Sequence, residues 1–186
     1  MNGTAGTLMA SEIAEQPEVW QRLLGEGLSS IKAAAATIAA RSPRFVLFAA
    51  RGTSDHAALY GKYLVEIEHG LPVGLMSPST MTVYAARPDL REVLVVAISQ
   101  SGGSPDLVQS LRTARERGAT TLAITNAADS ALAAEAEIHV DVLAGEERSV
   151  AATKSYTAQL LVLRLLLGAL RGDDPDTAKR LPGLAP

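Results

Sequence analysis

The residues best suited to chemistry lie in one short loop of small polar side chains, Ser99-Gln100-Ser101-Gly102-Gly103-Ser104. Ser104 stands where a helix N-cap is expected, and Pro105 suits the first position of the helix that follows. The free N–H groups and the dipole at that helix start would point at whatever occupies the loop. Three hydroxyls, an amide and two glycines then form an uncharged cradle suited to a phosphate monoester. The alternative is an ordinary strand–turn–helix connection whose serines only cap the helix.

Other interpretations of this loop find less support in the sequence. Neither G-x-x-x-x-G-K-[ST] nor G-x-G-x-x-G occurs, which weakens the case for binding of nucleoside triphosphates or dinucleotides. Residues 99–103 also approximate the G-x-S-x-G elbow of serine hydrolases, which need an acid and then a histidine farther along the chain. The available histidine, His139, falls inside a predicted strand, so a catalytic triad on Ser101 is disfavoured.

Two more loops carry groups that could reach the same ligand. The first is Arg51-Gly52-Thr53-Ser54, and the second runs from Gly145 through Ala152 and contains Glu146 and Glu147. A carboxylate such as Glu147 could act as the general base that moves a proton between adjacent carbons of a sugar. The alternative is that both glutamates are solvated loop charges.

Metal and cofactor chemistry has no visible support in the sequence. The histidines have no partner at metal-ligand spacing, and the chain contains no cysteine. We therefore expect no metal site, no cofactor and no thiol nucleophile.

The elements that must position these loops alternate along the chain. Short apolar runs predict five buried strands at 44–50, 72–76, 93–98, 119–125 and 138–142. Helical spacing predicts helices over 9–26 (two pieces that meet near Pro17), 27–40, 55–69, 105–117, 130–136 and 153–170. This alternation predicts an α/β fold, a three-layer α/β/α sandwich with a five-stranded parallel sheet preceded by N-terminal helices. Ligands of such sheets bind at the carboxyl ends of the strands, where the polar loops lie.

Two of the predicted helices have faces that bear on packing. In the helix over 55–69, Leu59, Tyr63 and Ile67 lie four apart and predict its apolar face, which Ala58, Val65 and others widen. The helix over 153–170 is apolar nearly all round, so we expect it to be buried on more than one side. It is either a central helix of one core or a surface for another domain or copy, and we expect a homodimer or docking with a second domain.

Composition limits the function classes. The chain has 186 residues, 47% of them hydrophobic, and a net charge of −3, which disfavours nucleic-acid binding. The lack of cysteine fits a cytoplasmic protein, and no signal peptide is visible. Gln159 and Arg164 interrupt the most apolar segment, so no membrane span is expected. We predict a flexible start at 1–8, one domain over 9–170, and a linker or tail at 171–186.

Taken together, these motifs resemble those of sugar isomerase (SIS) domains. Arg51-Gly52-Thr53-Ser54, Ser99-Gln100-Ser101-Gly102, Thr125-Asn126 and the run VAATKSYTAQ at 150–159 occur in the same order. The resemblance covers about residues 9–170. It is closest to the first SIS half of the isomerase module of glucosamine-6-phosphate synthases and to amino-sugar phosphate deaminases that lack the glutaminase part. It implies a flavodoxin-like, five-stranded parallel sandwich.

The resemblance also implies roles for individual residues. The residues implied to bind the sugar phosphate are Gly52, Thr53, Ser54, Ser99, Gln100, Ser101 and Ser104, with the backbone of Val150 and Ala152 lining the sugar. Three positions depart from the family pattern: Gly103 replaces the usual Glu, Ala152 replaces a Ser, and Arg51 stands where a small residue is usual.

The function implied by the resemblance is that of an isomerase or deaminase acting on a hexose 6-phosphate. The glutaminase domain and the second SIS half are not in this sequence. In the family, that second half contributes the catalytic Glu, His and Lys, so we expect this chain to supply the phosphate site and a second half or copy to supply the catalytic groups. The alternative is a non-catalytic sugar-phosphate sensor, although no helix-turn-helix segment for DNA binding is visible.

Overall fold

The computed structural model describes residues 6–174, which fold around a single five-stranded sheet. Its strands are β1 (Phe45–Ala50), β2 (Val73–Leu75), β3 (Val93–Ser99), β4 (Thr120–Thr125) and β5 (Ile138–Asp141). All four strand pairs are parallel, and the order across the sheet is β2-β1-β3-β4-β5. The predicted fold class and all five predicted strands are confirmed.

Helices cover both faces of this sheet. They are α1 (Thr7–Ala14), α2 (Gln16–Arg22), α3 (Leu28–Arg41), α4 (Thr53–Leu64), α5 (Pro78–Thr82), α6 (Pro105–Glu116), α7 (Ala131–Glu135) and α8 (Lys154–Arg171). Single π-helical segments, Leu23–Gly27 and Val65–His69, continue α2 and α4. The predicted break near Pro17 is confirmed at Glu15, whereas α5 was not predicted.

The predicted ends of the domain are only partly described. Helix α1 begins at Thr7, inside the segment 1–8 predicted to be a flexible start, and α8 ends at Arg171. Residues 1–5 and 175–186, which make up the rest of the predicted start and most of the predicted tail, lie outside the described residues. Within residues 6–174, no helix is both long enough and apolar enough to cross a bilayer.

The core has two parts, one on each face of the sheet. Alternate residues of β3 point to opposite faces, so Val96 joins the part covered by α3, α4 and α8, while Val95 joins the part covered by α5, α6 and α7. Strands buried on both faces in this way explain why the apolar runs in the sequence are continuous rather than alternating.

Helix α8 is the central helix of the larger core. Val162, Leu163 and Leu166 are each no more than 2% exposed, because α8 packs against α2, α3 and α4 within the same chain. Its all-round apolar character therefore reflects internal packing. This result removes the reason for which the sequence predicted a homodimer, so the homodimer stays a prediction without that support.

The apolar face predicted for the helix over 55–69 is wrong in part: Ala58 and Val65 are buried, whereas its three largest members are not. Leu59, Tyr63 and Ile67 are 41%, 56% and 75% exposed, and the buried face consists of small residues, among them Ala57 and Gly61. A Cβ on Gly61 would lie 2.9 Å from Phe48 Cζ and 3.3 Å from Leu163 Cδ2. The close approach of α4 to β1 and α8 thus requires small side chains, and the larger apolar residues of the helix lie outside.

This close packing predicts the cost of enlarging Gly61. Gly61→Val should lower the free energy of unfolding by about 3 kcal/mol, because its side chain would overpack the core against Phe48. The same change at Gly25, whose added Cβ would meet nothing within 4 Å, should cost less than about 1 kcal/mol. Urea denaturation of both variants measures the difference, and equal losses would contradict the packing argument.

Candidate functional site

The carboxyl edge of the sheet contains a topological switch point between β1 and β3. The two strands are neighbours, with Ala50 paired to Ile98, yet the helices that follow them, α4 and α6, cover opposite faces. Their connecting loops therefore part at the end of the sheet and leave a crevice, which is the usual ligand site in open parallel sheets.

A pocket of about 190 Å³ fills this crevice. It is lined by Arg51, Thr53, Ser54, Ser99, Gln100, Ser101, Ser104 and Ala152. We call it the switch-point pocket. The structure thus brings together predicted binding residues from three separate loops. Gly52 instead lines an adjoining groove that also includes Arg51, and the side chain of Val150 is 95% exposed and outside the pocket lining.

The serines of the β3–α6 loop are arranged to donate hydrogen bonds to a ligand. Ser99 Oγ accepts the N–H of Gly102 at 3.1 Å, and Ser101 Oγ accepts the N–H of Gly103 at 3.3 Å. A hydroxyl oxygen that accepts in this way keeps its own O–H for another partner. The loop backbone therefore orients both side chains while leaving their protons available.

Ser104 is the N-cap residue of α6, as predicted, but its side chain makes no cap hydrogen bond with the described helix. Asp106 Oδ1 takes the N–H of Leu107 instead, at 3.0 Å. Ser104 lines the pocket, and ligand binding by these serines and the alternative in which they only hold the turn and the helix start both stay predictions.

Gly102 has a packing role that the sequence did not reveal. Its φ is +62°, and an added Cβ would lie 2.2 Å from Ser130 Oγ. Its carbonyl also accepts the N–H of Leu132 at 3.0 Å. This glycine lets the loop rest against the start of α7, whereas the sequence predicted that it admits a ligand.

Two helix N-termini meet at the pocket. Ser104 begins α6, and Gly52, at a φ of +59°, is the N-cap of α4, whose first residues are Thr53 and Ser54. Free N–H groups and the positive ends of two helix dipoles favour an anion at this point.

The third loop, residues 143–153, is held from several sides. Asn126, just after β4, accepts the N–H of Ala144 at 2.9 Å and donates its amide to the carbonyl of Gly145 at 2.6 Å. Arg22, at the end of α2, donates to the carbonyl of Leu143 at 2.6 Å. These contacts place the loop beside the switch-point pocket, which Ala152 lines.

Glu147 caps the start of α8. Its Oε1 accepts the N–H of Thr153 at 2.6 Å and of Lys154 at 3.1 Å, and its Oε2 accepts the N–H of Ser155 at 2.8 Å. Burial acts to raise the pKa of this carboxyl, but the hydrogen bonds from Ser155 and Thr153 outweigh it and hold the pKa below its usual value. Glu147 is therefore not a solvated loop charge, because its oxygens accept three backbone N–H groups. A carboxylate whose pKa is lowered by such bonds is also a weak general base. Catalysis by Glu147 stays a prediction that this geometry weighs against.

Glu12 of α1 anchors the same loop, which the sequence did not predict. Its carboxylate is 2% exposed, and its two oxygens accept the N–H groups of Arg148 at 2.7 Å and Ser149 at 3.0 Å. Burial would raise the pKa of Glu12, but hydrogen bonds from Ser149 and Arg148 bring it below the usual value. Nearby, the buried Lys154 bonds Glu15 at 2.5 Å. Nothing in the sequence around Glu12 indicated that this glutamate of α1 is buried.

His139 does not form a catalytic triad with Ser101. Its Nε2 lies 2.9 Å from Thr125 Oγ1, and the Thr125 hydroxyl donates to the carbonyl of Ala127 at 2.9 Å. Whichever partner donates, this contact holds the imidazole against Thr125. Burial lowers the pKa of His139. These contacts give it a structural role, as its position in a strand predicted.

Two further observations concern other kinds of ligand, an apolar molecule and a metal ion. An apolar cavity of about 150 Å³ lies at the opposite end of the sheet, between α3 and α8, and is unsuited to an anion. Within residues 6–174, no three His, Asp or Glu side chains cluster closely enough to hold a metal ion.

The Glu12 anchor predicts an acid-dependent loss of stability. Glu12→Gln should lower the free energy of unfolding at pH 7 by about 2 kcal/mol, because the amide accepts only one of the two buried N–H groups and without the charge that strengthens that bond. Since the folded-state pKa of Glu12 is lowered, its stabilisation is present above the usual value of 4.5 and disappears as pH falls through the folded value.

Denaturation curves between pH 7 and pH 3 test this prediction. The wild-type and Glu12→Gln curves should converge at low pH, while Glu26→Gln, at an exposed glutamate, should follow the wild type throughout. Parallel curves for wild type and Glu12→Gln would contradict the anchor.

Comparison with known proteins places this geometry in a family. Residues 41–169 match the family model described as the SIS domain. The chain is 39% identical to a glutamine–fructose-6-phosphate aminotransferase (isomerizing) of Symbiobacterium thermophilum, over 93% of this chain and 30% of that protein. It is 35% identical to such an aminotransferase of Arabidopsis thaliana, over 92% of this chain and 27% of that protein.

Solved structures show the same fold. A candidate phosphosugar isomerase of Silicibacter pomeroyi superposes with a TM-score of 0.92 at 42% identity, over 95% of this chain and 55% of that one. A glucosamine-6-phosphate deaminase of Thermotoga maritima, at 22% identity, shares the fold with a TM-score of 0.78, over 97% of this chain and 54% of that one. The chain therefore spans less than a third of these curated relatives and about half of these solved ones. With its parallel sheet, switch-point pocket and matched range, the chain belongs to the SIS domain family.

Proposed function

We propose that this chain binds a sugar phosphate, with the phosphate of a hexose 6-phosphate seated in the switch-point pocket. The observation that carries the proposal is the convergence of hydroxyl donors and two helix N-termini on one pocket whose lining contains no carboxylate. Neutral donors and helix dipoles are a common way to hold a phosphate. Thr53, Ser54, Ser99, Gln100, Ser101 and Ser104 are the proposed phosphate ligands, with Gly52 admitting the turn into α4.

The sugar would extend from the phosphate along the 143–153 loop. Ala152 lines the pocket, and the backbone of Val150 and Ala152 is the proposed lining of the sugar. The relatives' names support an amino or keto hexose 6-phosphate, because they include aminotransferases of fructose 6-phosphate and a deaminase of glucosamine 6-phosphate.

The proposed reaction is isomerisation or deamination, with catalytic groups that a second SIS half or a second copy of the chain supplies. No residue of the pocket lining is an acid or base that titrates near neutrality, and Glu147 is engaged as a cap. The aminotransferase of Symbiobacterium thermophilum, about three times as long, and the solved Silicibacter pomeroyi chain, nearly twice as long, both leave room for a second half. A non-catalytic sugar-phosphate sensor is the second candidate, supported by the same lack of catalytic groups.

The exposed apolar residues of α4 and of the π-helical segment that continues it suggest where a second SIS half or a second copy of the chain would pack. We call them the α4 stripe. Leu59, Tyr63 and Ile67 lie four residues apart and form one exposed apolar stripe. Contiguous apolar surface of this kind commonly marks an interface.

Calorimetry with fructose 6-phosphate and glucosamine 6-phosphate tests phosphate binding. Ser101→Ala should weaken binding about tenfold, because one hydrogen bond to a charged oxygen is lost. Ser29→Ala, at an exposed serine of α3, serves as the matched control and should bind like the wild type. Wild-type protein that gives no heat with either sugar phosphate would refute the proposal.

A turnover assay separates the two candidate functions. The isolated chain, supplied with the same two compounds, is expected to bind them without isomerising or deaminating them. Turnover by the chain alone would show that it carries its own catalytic groups and would contradict their proposed external origin.

The α4 stripe predicts a change in association. If the stripe forms the interface, the chain should sediment as a dimer at about 50 µM, and Ile67→Glu should shift it to a monomer, because a charge would then be buried at the contact. Glu66→Gln, next to it and also exposed, should leave the dimer intact. A wild-type monomer would remove the case for self-association through this surface.

A further inference from the structure

An ion pair at the rim of the switch-point pocket joins its two principal loops. Arg51 follows β1, and Asp106 is the second residue of α6. Arg51 Nε donates to Asp106 Oδ2 at 2.8 Å, and Nη2 donates to the same oxygen. The other carboxylate oxygen accepts the N–H of Leu107, so Asp106 is fixed in the first turn of the helix.

We propose that Arg51 sets the anion affinity of the pocket by neutralising Asp106, an inference that rests on the proposed binding of a phosphate. Asp106 lies two residues after Ser104, so its charge stands close to the place where a dianion would sit. Like charges at such short range repel strongly where solvent is partly excluded. Arg51 cancels that repulsion and leaves the neutral donors to hold the ligand.

The charge balance of the pocket supports this role. Arg51 is the one charged side chain among the eight residues of its lining. Asp106 lies outside that lining yet bonds directly to Arg51. Without the guanidinium, the carboxylate of Asp106 at the pocket rim would have no paired cation.

The pair is too exposed for its main effect to be on folding. The side chains of Arg51 and Asp106 are 58% and 30% exposed, and exposed ion pairs contribute little to stability. A matched pair, Arg41 with Glu137, is 57% and 29% exposed. It joins the end of α3 to the residue before β5, at the opposite edge of the sheet, and so provides a control with equal exposure and no pocket.

The test is a charge cycle measured by calorimetry with glucosamine 6-phosphate at low ionic strength. Arg51→Gln should weaken binding about tenfold. Asp106→Asn, which keeps an acceptor for the Leu107 N–H, should bind at least as tightly as the wild type. The double variant should return to within about threefold of wild type, and Arg41→Gln should be unchanged.

The outcomes separate this inference from the proposed function. A double variant as weak as Arg51→Gln would overturn the inference, because Arg51 would then act through its own contact with the ligand or through the loop. Recovery in the double variant supports charge neutralisation, since a merely structural loss would not be rescued by removing Asp106. Wild-type protein without measurable binding would refute the phosphate site itself, and the inference with it. Thermal unfolding of each variant, expected within about 3 °C of wild type, verifies that all are folded.

Discussion

Backbone N–H groups of the 143–153 loop and of the start of α8 must find acceptors, and two carboxylates from the chain itself supply them. Glu12 takes the N–H groups of Arg148 and Ser149, and Glu147 takes those at the start of α8. Because these donors are satisfied internally, the hydrogen bonds stabilise the loop beside the sheet edge. The hydroxyls of the β3–α6 loop keep their protons for a ligand. Two carboxylates thus hold the loop and the start of α8, while neutral hydroxyl groups line the pocket.

The sheet and the pocket-forming loops were predictable from the sequence because their signals are local. β1 and β3 are the clearest apolar runs, and the polar loops follow directly after them. The anchoring residues were not predictable, because Glu12 meets its partners 136 and 137 positions away and a helical glutamate is ordinarily solvated. The face of α4 was misjudged for a different reason. Apolar size favoured Leu59 and Ile67, whereas close packing against Phe48 demanded Gly61.

The family resemblance and the geometry of the pocket agree on the family and on the place of the site, but the contacts revise the roles of individual residues. The order of motifs identified the family, and the structure brought most of the implied binding residues to one crevice. The hydrogen bonds and packing contacts then revised the roles predicted for individual residues. Gly102 serves packing against Ser130, Glu147 serves as a cap, and the hydroxyl of Ser104 is left for the pocket. Residue type alone does not distinguish a group that faces a ligand from one that holds the loop.

The matched family range begins at residue 41, but the support of the pocket does not. Helices α1 and α2, which precede that range, provide Glu12 and Arg22 to the 143–153 loop. A fragment excised at the family boundary would retain every strand of the sheet but would leave two amide hydrogens and a carbonyl to water, without the partners that fix the loop. The working unit of this domain is therefore wider than its recognisable signature, and any transplant of the pocket into another scaffold has to carry the leading helices with it.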